Sequence, residues 1–313
     1  MPSSDSGRAD GHLARADRAV WRAYRTIADA DVLDLVPRLT LVFLLLADWI
    51  VGADWRFKLP LRAIAIVGLI APPLHRSRSL WLLLALLMGS RTILNWWTQD
   101  NHVFLVTYWC LATYLSLTTD EPAETLAANG KALIGLSFAF AALWKIMLSK
   151  DFLDGTYFHY TFLTDSRFQD FGVIFGGMTS TSYNEIAKAL AQLGNPTGSI
   201  EAVQLPSTSM LVTLAKLSAW WTAAIESALA AVFLLPERLA VTRYRHAVLL
   251  LFAWTTYLVA TVATFGWILM TIGVGQCEPE RRRTRVLYVA TCVLVLAYDY
   301  LPLLPFVRSL IGR

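Results

Sequence analysis

From about residue 34 onward the chain is a succession of apolar runs joined by short polar or basic segments. A helix crossing the ~30 Å hydrocarbon core of a bilayer needs ~20 apolar residues, with ~17 to 25 tolerated. Unpaired backbone groups cannot be left in hydrocarbon, so a chain of this kind has few folds open to it. Runs near 37–54, 61–76, 79–97, 102–118, 130–148, 208–235, 246–275 and 285–306 predict an all-α, polytopic membrane helix bundle of about eight transmembrane helices. The run at 61–76 is the weakest, being short and interrupted by Pro72 and Pro73. With 56% apolar and only 16% charged residues, the composition lies far from the balance of a soluble protein.

The segments outside these runs set the organisation. Residues 1–12 are small and polar and are expected to be a disordered cytoplasmic start. In residues 13–27, Leu13, Val20, Trp21, Tyr24 and Ile27 interleave with Arg15, Arg18, Arg22 and Arg25, the pattern of a basic amphipathic helix on a membrane surface or on the protein's own loops. Residues 1–33 thus precede a single transmembrane domain, 34–313. Its long extramembrane segment, 149–207, is rich in aromatics and glycine in its first half. The second half reads as a short helical lid, with a capping box at Ser182 to Glu185 and a stop at Gly194. The basic residues flank apolar runs, where topology and lipid headgroups use them, so nucleic acid is not an expected partner and membrane lipids are. An amino terminus inside the cell membrane places most of them, Arg308 and Arg313 included, on the cytoplasmic side. On that count the run Arg281-Arg282-Arg283-Thr284-Arg285 falls outside, against the rule.

Ionisable residues within the runs are the candidate chemistry, because a charge in hydrocarbon costs about 2.5 to 3.5 kcal/mol on insertion scales. They are Asp48, Arg91, Lys145, Lys216, Glu226 and Asp299, with His102 and His246 at run ends. Lys145 lies about 4.5 Å of helix rise before the end of its run, within reach of the headgroups by snorkelling. Ala141 and Ala142, one turn below, leave space for a partner helix or a ligand. Burial disfavours the charged form of an amine, and a neutral lysine is a base. Glu226 is too deep to snorkel and requires a proton or a cation, with Arg91 the first choice and Lys216 or Lys145 next. Trp96 and Trp97 fit an interfacial aromatic belt or a wall for a flat ligand. Cys110, Cys277 and Cys292 read as packing residues, and no ligand spacing points to a metal.

Three stretches carry a family resemblance: Trp96-Trp97-Thr98-Gln99-Asp100-Asn101-His102, then Ile134 to Gly155 with its lysine and Asp-Phe-Leu-Asp-Gly turn, then Trp221 to Glu226 followed by Thr264 to Met270. Their order and spacing over roughly residues 34 to 277 resemble the transmembrane part of vitamin K-dependent gamma-carboxylase and the wider family of horizontally transferred transmembrane domains. The resemblance implies Lys145 as a base that deprotonates a reduced quinone of the vitamin K hydroquinone type. It implies His102 and Asn101 as its supports, with a lesser role for Asp100, and an acidic residue at the position of Glu226. Trp96, Trp97 and Trp144 would be the aromatic residues near that quinone, and Arg91 a counter-ion for Glu226 or an anionic substrate. Two departures stand out: the spacing to Asp151 admits Lys150 as an outside candidate for the lysine role, and a family histidine is matched by about Ala253. The carboxylase's large soluble region has no counterpart in these residues, so the resemblance does not extend to carboxylating a protein substrate. Three readings follow: an integral-membrane enzyme acting on a lipid-soluble quinol or similar acid, a proton-coupled carrier, and a non-catalytic maturation factor serving a protein or peptide from another chain.

Overall fold

The computed structural model describes residues 18–46, 54–193, 205–257, 259, 262–300 and 303–310. Every regular element among them is a helix, the all-α class that the apolar runs require. The expected disordered start, Asp48, Gly194 and the side chain of Asp299 lie outside the described residues. In chain order the helices are α1 (18–28), α2 (Val32–Leu46), α3 (Trp55–Ile70), α4 (Arg78–Leu94), α5 (Asn101–Ser116), α6 (Pro122–Leu143), α7 (Thr156–Thr164), α8 (Gln169–Phe175), α9 (Ser180–Leu193), α10 (Ser209–Leu234), α11 (Arg245–Tyr257), α12 (Ala263–Gly275), α13 (Arg282–Tyr300) and α14 (Leu303–Leu310). Two are long and apolar enough to cross a membrane: α6 with its continuation to Leu148, 27 residues, and α10, 26 residues. At 1.5 Å per residue each is roughly 40 Å long.

The run 246–275, expected as one span, is two helices of 13 residues each, α11 and α12. Thr255 near the end of α11 donates its hydroxyl to the Leu251 carbonyl at 2.8 Å. The chain then doubles back. The ring of Tyr257 at the end of α11 lies against Gly266 in the first turn of α12, so close that a Cβ at 266 would stand 2.8 Å from it. Phe252 of α11 and Phe265 of α12 both rest on Phe138 of α6, with ring centroids 4.8 and 6.3 Å away.

The chain divides into two compact units, residues 1–133 with 267–293 and residues 134–266 with 294–313. In the first, Trp81, Trp109 and Tyr288 are fully buried, and the indoles are tied down: Trp109 donates to the Thr40 hydroxyl at 3.0 Å, Trp267 to the Leu39 carbonyl at 3.1 Å. α1 leaves Val20 and Trp21 exposed, and the carbonyls of Ala28 and Ala30 at its end accept from buried Arg285 at 3.2 and 2.7 Å. Arg282 adds an ion pair to Asp29 at 3.1 Å. The arginine run that breaks the charge rule therefore sits at the level of α1's end, as a cation placed where a helix leaves its carbonyls unpaired. Nearby, Asp34 accepts from Arg76 at 2.5 Å and meets His75 at 2.7 Å. The Arg76 guanidinium holds this carboxyl well below the ordinary carboxylate range.

In the second unit the segment after α6 has a core of its own. Phe162, Leu163, Phe168, Val173, Met178, Tyr183 and Ile186 pack with Leu211 of α10. The Tyr183 hydroxyl donates to the Phe162 carbonyl at 3.0 Å, and burial pushes its pKa up to about 12. Gly155 opens α7 at φ +89 directly against the Lys216 backbone, a place with neither the dihedral nor the room for a side chain. α9 starts earlier than the capping box at Ser182 predicts, because the Thr179 hydroxyl accepts from the Ser182 amide at 3.1 Å and caps it. Arg308 of α14 pairs with Asp170 at 2.7 Å and donates to Ser180, so it sits at the level of the 149–207 segment rather than opposite to it.

Candidate functional site

Lys145 owes its position to a local widening of its helix. Residues Trp144–Leu148 form a π-turn, closed by the Ser149 amide donating to the Trp144 carbonyl at 2.9 Å, five residues back. Such turns insert an extra residue into the helical ladder and rotate the side chains they carry, and they recur at functional sites. The chain then bends into the short Lys150–Leu153 helix and the Asp154-Gly155 turn.

The lysine points inward. Its Nζ donates to both carboxylate oxygens of Glu226 on α10, at 2.6 and 2.5 Å, and the two side chains are only 16% and 9% exposed. The Lys145 ammonium also stands 5.4 Å from the centre of the Phe152 ring, and Phe152 is itself buried. Snorkelling to headgroups is thus replaced by a charge pair between the two longest apolar helices. The partner for Glu226 is Lys145, not Arg91, the first choice from sequence. Arg91 is buried in α4 of the first unit, where its Nη1 has no hydrogen-bond partner among the described residues. Lys216 and Lys150 are exposed.

The other candidates lie as follows. Asp100, Asn101 and His102 form the start of α5 in the first unit, with Asp100 in the N-cap position and its carboxylate 3.5 Å from His102 Nε2. Trp96 and Trp97 are 65% and 68% exposed and touch each other edge to face. Trp144 is also exposed. The three cysteines are buried and free. Among the described residues no group of three His, Cys, Asp or Glu side chains converges.

Sequence reasoning missed the surroundings of the pair. Phe152 belongs to the Asp-Phe-Leu-Asp-Gly turn and was legible there as a residue type, though not as a cation's neighbour. Tyr257 is 4% exposed and within electrostatic range of Glu226, and nothing in its apolar run marks it. Chemically, the arrangement is an ammonium and a carboxylate that share a proton at no cost in net charge: the ionised pair and the pair of neutral amine and neutral acid carry the same total. Comparison with protein-family models, with characterised proteins and with solved structures returned no match.

Proposed function

We propose that this chain is a multi-pass protein of the cell membrane, amino terminus cytoplasmic, whose Lys145–Glu226 pair takes a proton from a lipid-soluble acid of the quinol class. The observation that carries this reading is the buried pair itself, on the two helices best fitted to span a bilayer. Transfer of the Lys145 proton to the Glu226 carboxylate along their hydrogen bond leaves a neutral amine beside a neutral acid. The amine then takes the proton of the lipid-soluble acid while Glu226 stays protonated. The step ends with an anion beside a protonated lysine, and no net charge is added to the membrane. The resemblance to the carboxylase family supports the same lysine as the centre of proton abstraction. Asn101 and His102 at the head of α5 are proposed as supports on that resemblance alone.

The test uses full-length protein in lipid nanodiscs under air with 2-methyl-1,4-naphthoquinol. A quinolate passes two electrons to oxygen faster than the quinol does, giving quinone and hydrogen peroxide, so quinone absorbance reports deprotonation. Wild type is expected to accelerate quinone formation, and Lys145→Ala and Glu226→Gln to remove the acceleration. Lys145→Arg is not expected to restore it, because an arginine keeps its proton. Unchanged rates in folded Lys145→Arg protein would overturn the reading.

A proton-coupled carrier is the second reading, favoured by one feature: α11 and α12 are half-length helices that fold back beside the pair, the kind of interruption on which transporters build sites. Proton flux into liposomes without quinol consumption would select it.

A further inference from the structure

Two buried hydroxyls stand at the fold-back of α11 and α12 without a hydrogen-bond partner among the described residues, those of Tyr257 and Thr264. Both side chains are nine-tenths buried or more, at 4% and 9% exposure. A buried hydroxyl left unpaired costs more than its hydrogen bond would return, so native proteins retain few of them without a function. Here two occur on adjoining helix ends, one closing α11 and the other in the first turn of α12. The backbone is adapted to them: Gly266 lacks the side chain that would displace the Tyr257 ring. Tyr257 also lies within electrostatic range of Glu226, and its ring meets Phe252 edge to face at 6.1 Å, next to Phe138 and Phe265.

We infer that Tyr257 and Thr264 bind the hydroxyl or carbonyl oxygen of a neutral, lipid-soluble aromatic ligand and so hold it beside the Lys145–Glu226 pair. The inference rests on the function proposed above and names the residues that would seat its substrate. The chemistry selects the class. Two neutral hydroxyls can donate to, and accept from, an uncharged oxygen, whereas a carboxylate or phosphate would face the Glu226 carboxylate with Lys145 already engaged. Three phenylalanine rings suit a flat aromatic body.

The experiment reads binding without the base. The probe is 2-methyl-1,4-naphthoquinone, which has two carbonyl oxygens and no proton to give, titrated into the full-length protein in nanodiscs while the thermal midpoint is followed. Wild type is expected to show a saturable rise. Tyr257→Phe and Thr264→Val are each expected to weaken the dissociation constant about fivefold, the loss for one hydrogen bond, and together about 25-fold. Their ligand-free midpoints are expected to stay level or increase, since each removes a buried hydroxyl that has no partner. Equal affinity in wild type and the double variant would overturn the inference, as would no rise in wild type. Lower ligand-free midpoints would also overturn it, by assigning the hydroxyls to the fold. The two proposals fail separately: quinol consumption surviving in Lys145→Arg removes the base and leaves the quinone-binding result to stand on its own.

Discussion

Lys145 and Glu226 are legible as important residues because a charge within an apolar run is expensive wherever it points. Their pairing is not legible. Sequence gives the height of a residue along its helix and says little about its azimuth, and the π-turn at Trp144–Leu148, which sets the azimuth of Lys145, has no sequence mark. Arg91 was the natural first partner by depth alone. Tyr257 and Thr264 were invisible for a different reason, since neutral hydroxyls are common in apolar helices and only their lack of partners singles them out. Asp34 illustrates a charge whose role can be tested by pH. Its pKa is depressed, chiefly by the hydrogen bond from Arg76, so it contributes stability above the ordinary carboxylate pKa and loses it as pH falls toward the depressed value. The carboxylate is a third exposed, and solvent screening limits the effect. Asp34→Asn is expected to lower stability by about 1 kcal/mol at neutral pH, a deficit that shrinks on acidification. A deficit independent of pH, in thermal scans of the purified protein, would assign the loss to packing.

At the scale of elements, the positions of the apolar runs were readable and the break within the seventh was not. Its length was the missed signal: 30 residues of helix would be roughly 45 Å, well beyond the bilayer core. α11 and α12, at 13 residues each, are too short to cross singly, and the contact of Tyr257 with Gly266 makes them a fold-back. On the topology proposed above, a re-entrant α11–α12 pair in place of the seventh crossing would leave the Arg281–Arg285 run cytoplasmic, as the charge rule asks. That proposal would then count seven crossings and one re-entrant pair, and would put the paired Arg308 and Asp170 outside. Single cysteines test this against a background lacking the three buried ones. Asp154→Cys is expected to react with a membrane-impermeant maleimide in intact cells, and Asp120→Cys and Glu280→Cys only after permeabilisation. External labelling of Glu280→Cys would reinstate a full crossing between residues 245 and 275.

For the molecule as a whole, the all-helical class of the described residues is the one that apolar runs of this length predict, and composition sufficed to reach it. The division into two units, with chain segments exchanged between them in sequence, is set by tertiary packing and has no linker or composition shift to announce it. The central claim is that Lys145 and Glu226 act as one buried unit, and a double-mutant cycle in global stability tests it most directly. Glu226→Gln, leaving an ammonium without its counter-ion, is expected to cost about 3 to 5 kcal/mol. Lys145→Met alone is expected to cost a similar amount, and the double variant much less than the sum, because it buries no charge at all. Losses that add in full would mean that the two residues do not act as a pair, and the proposed proton-transfer site would go with them.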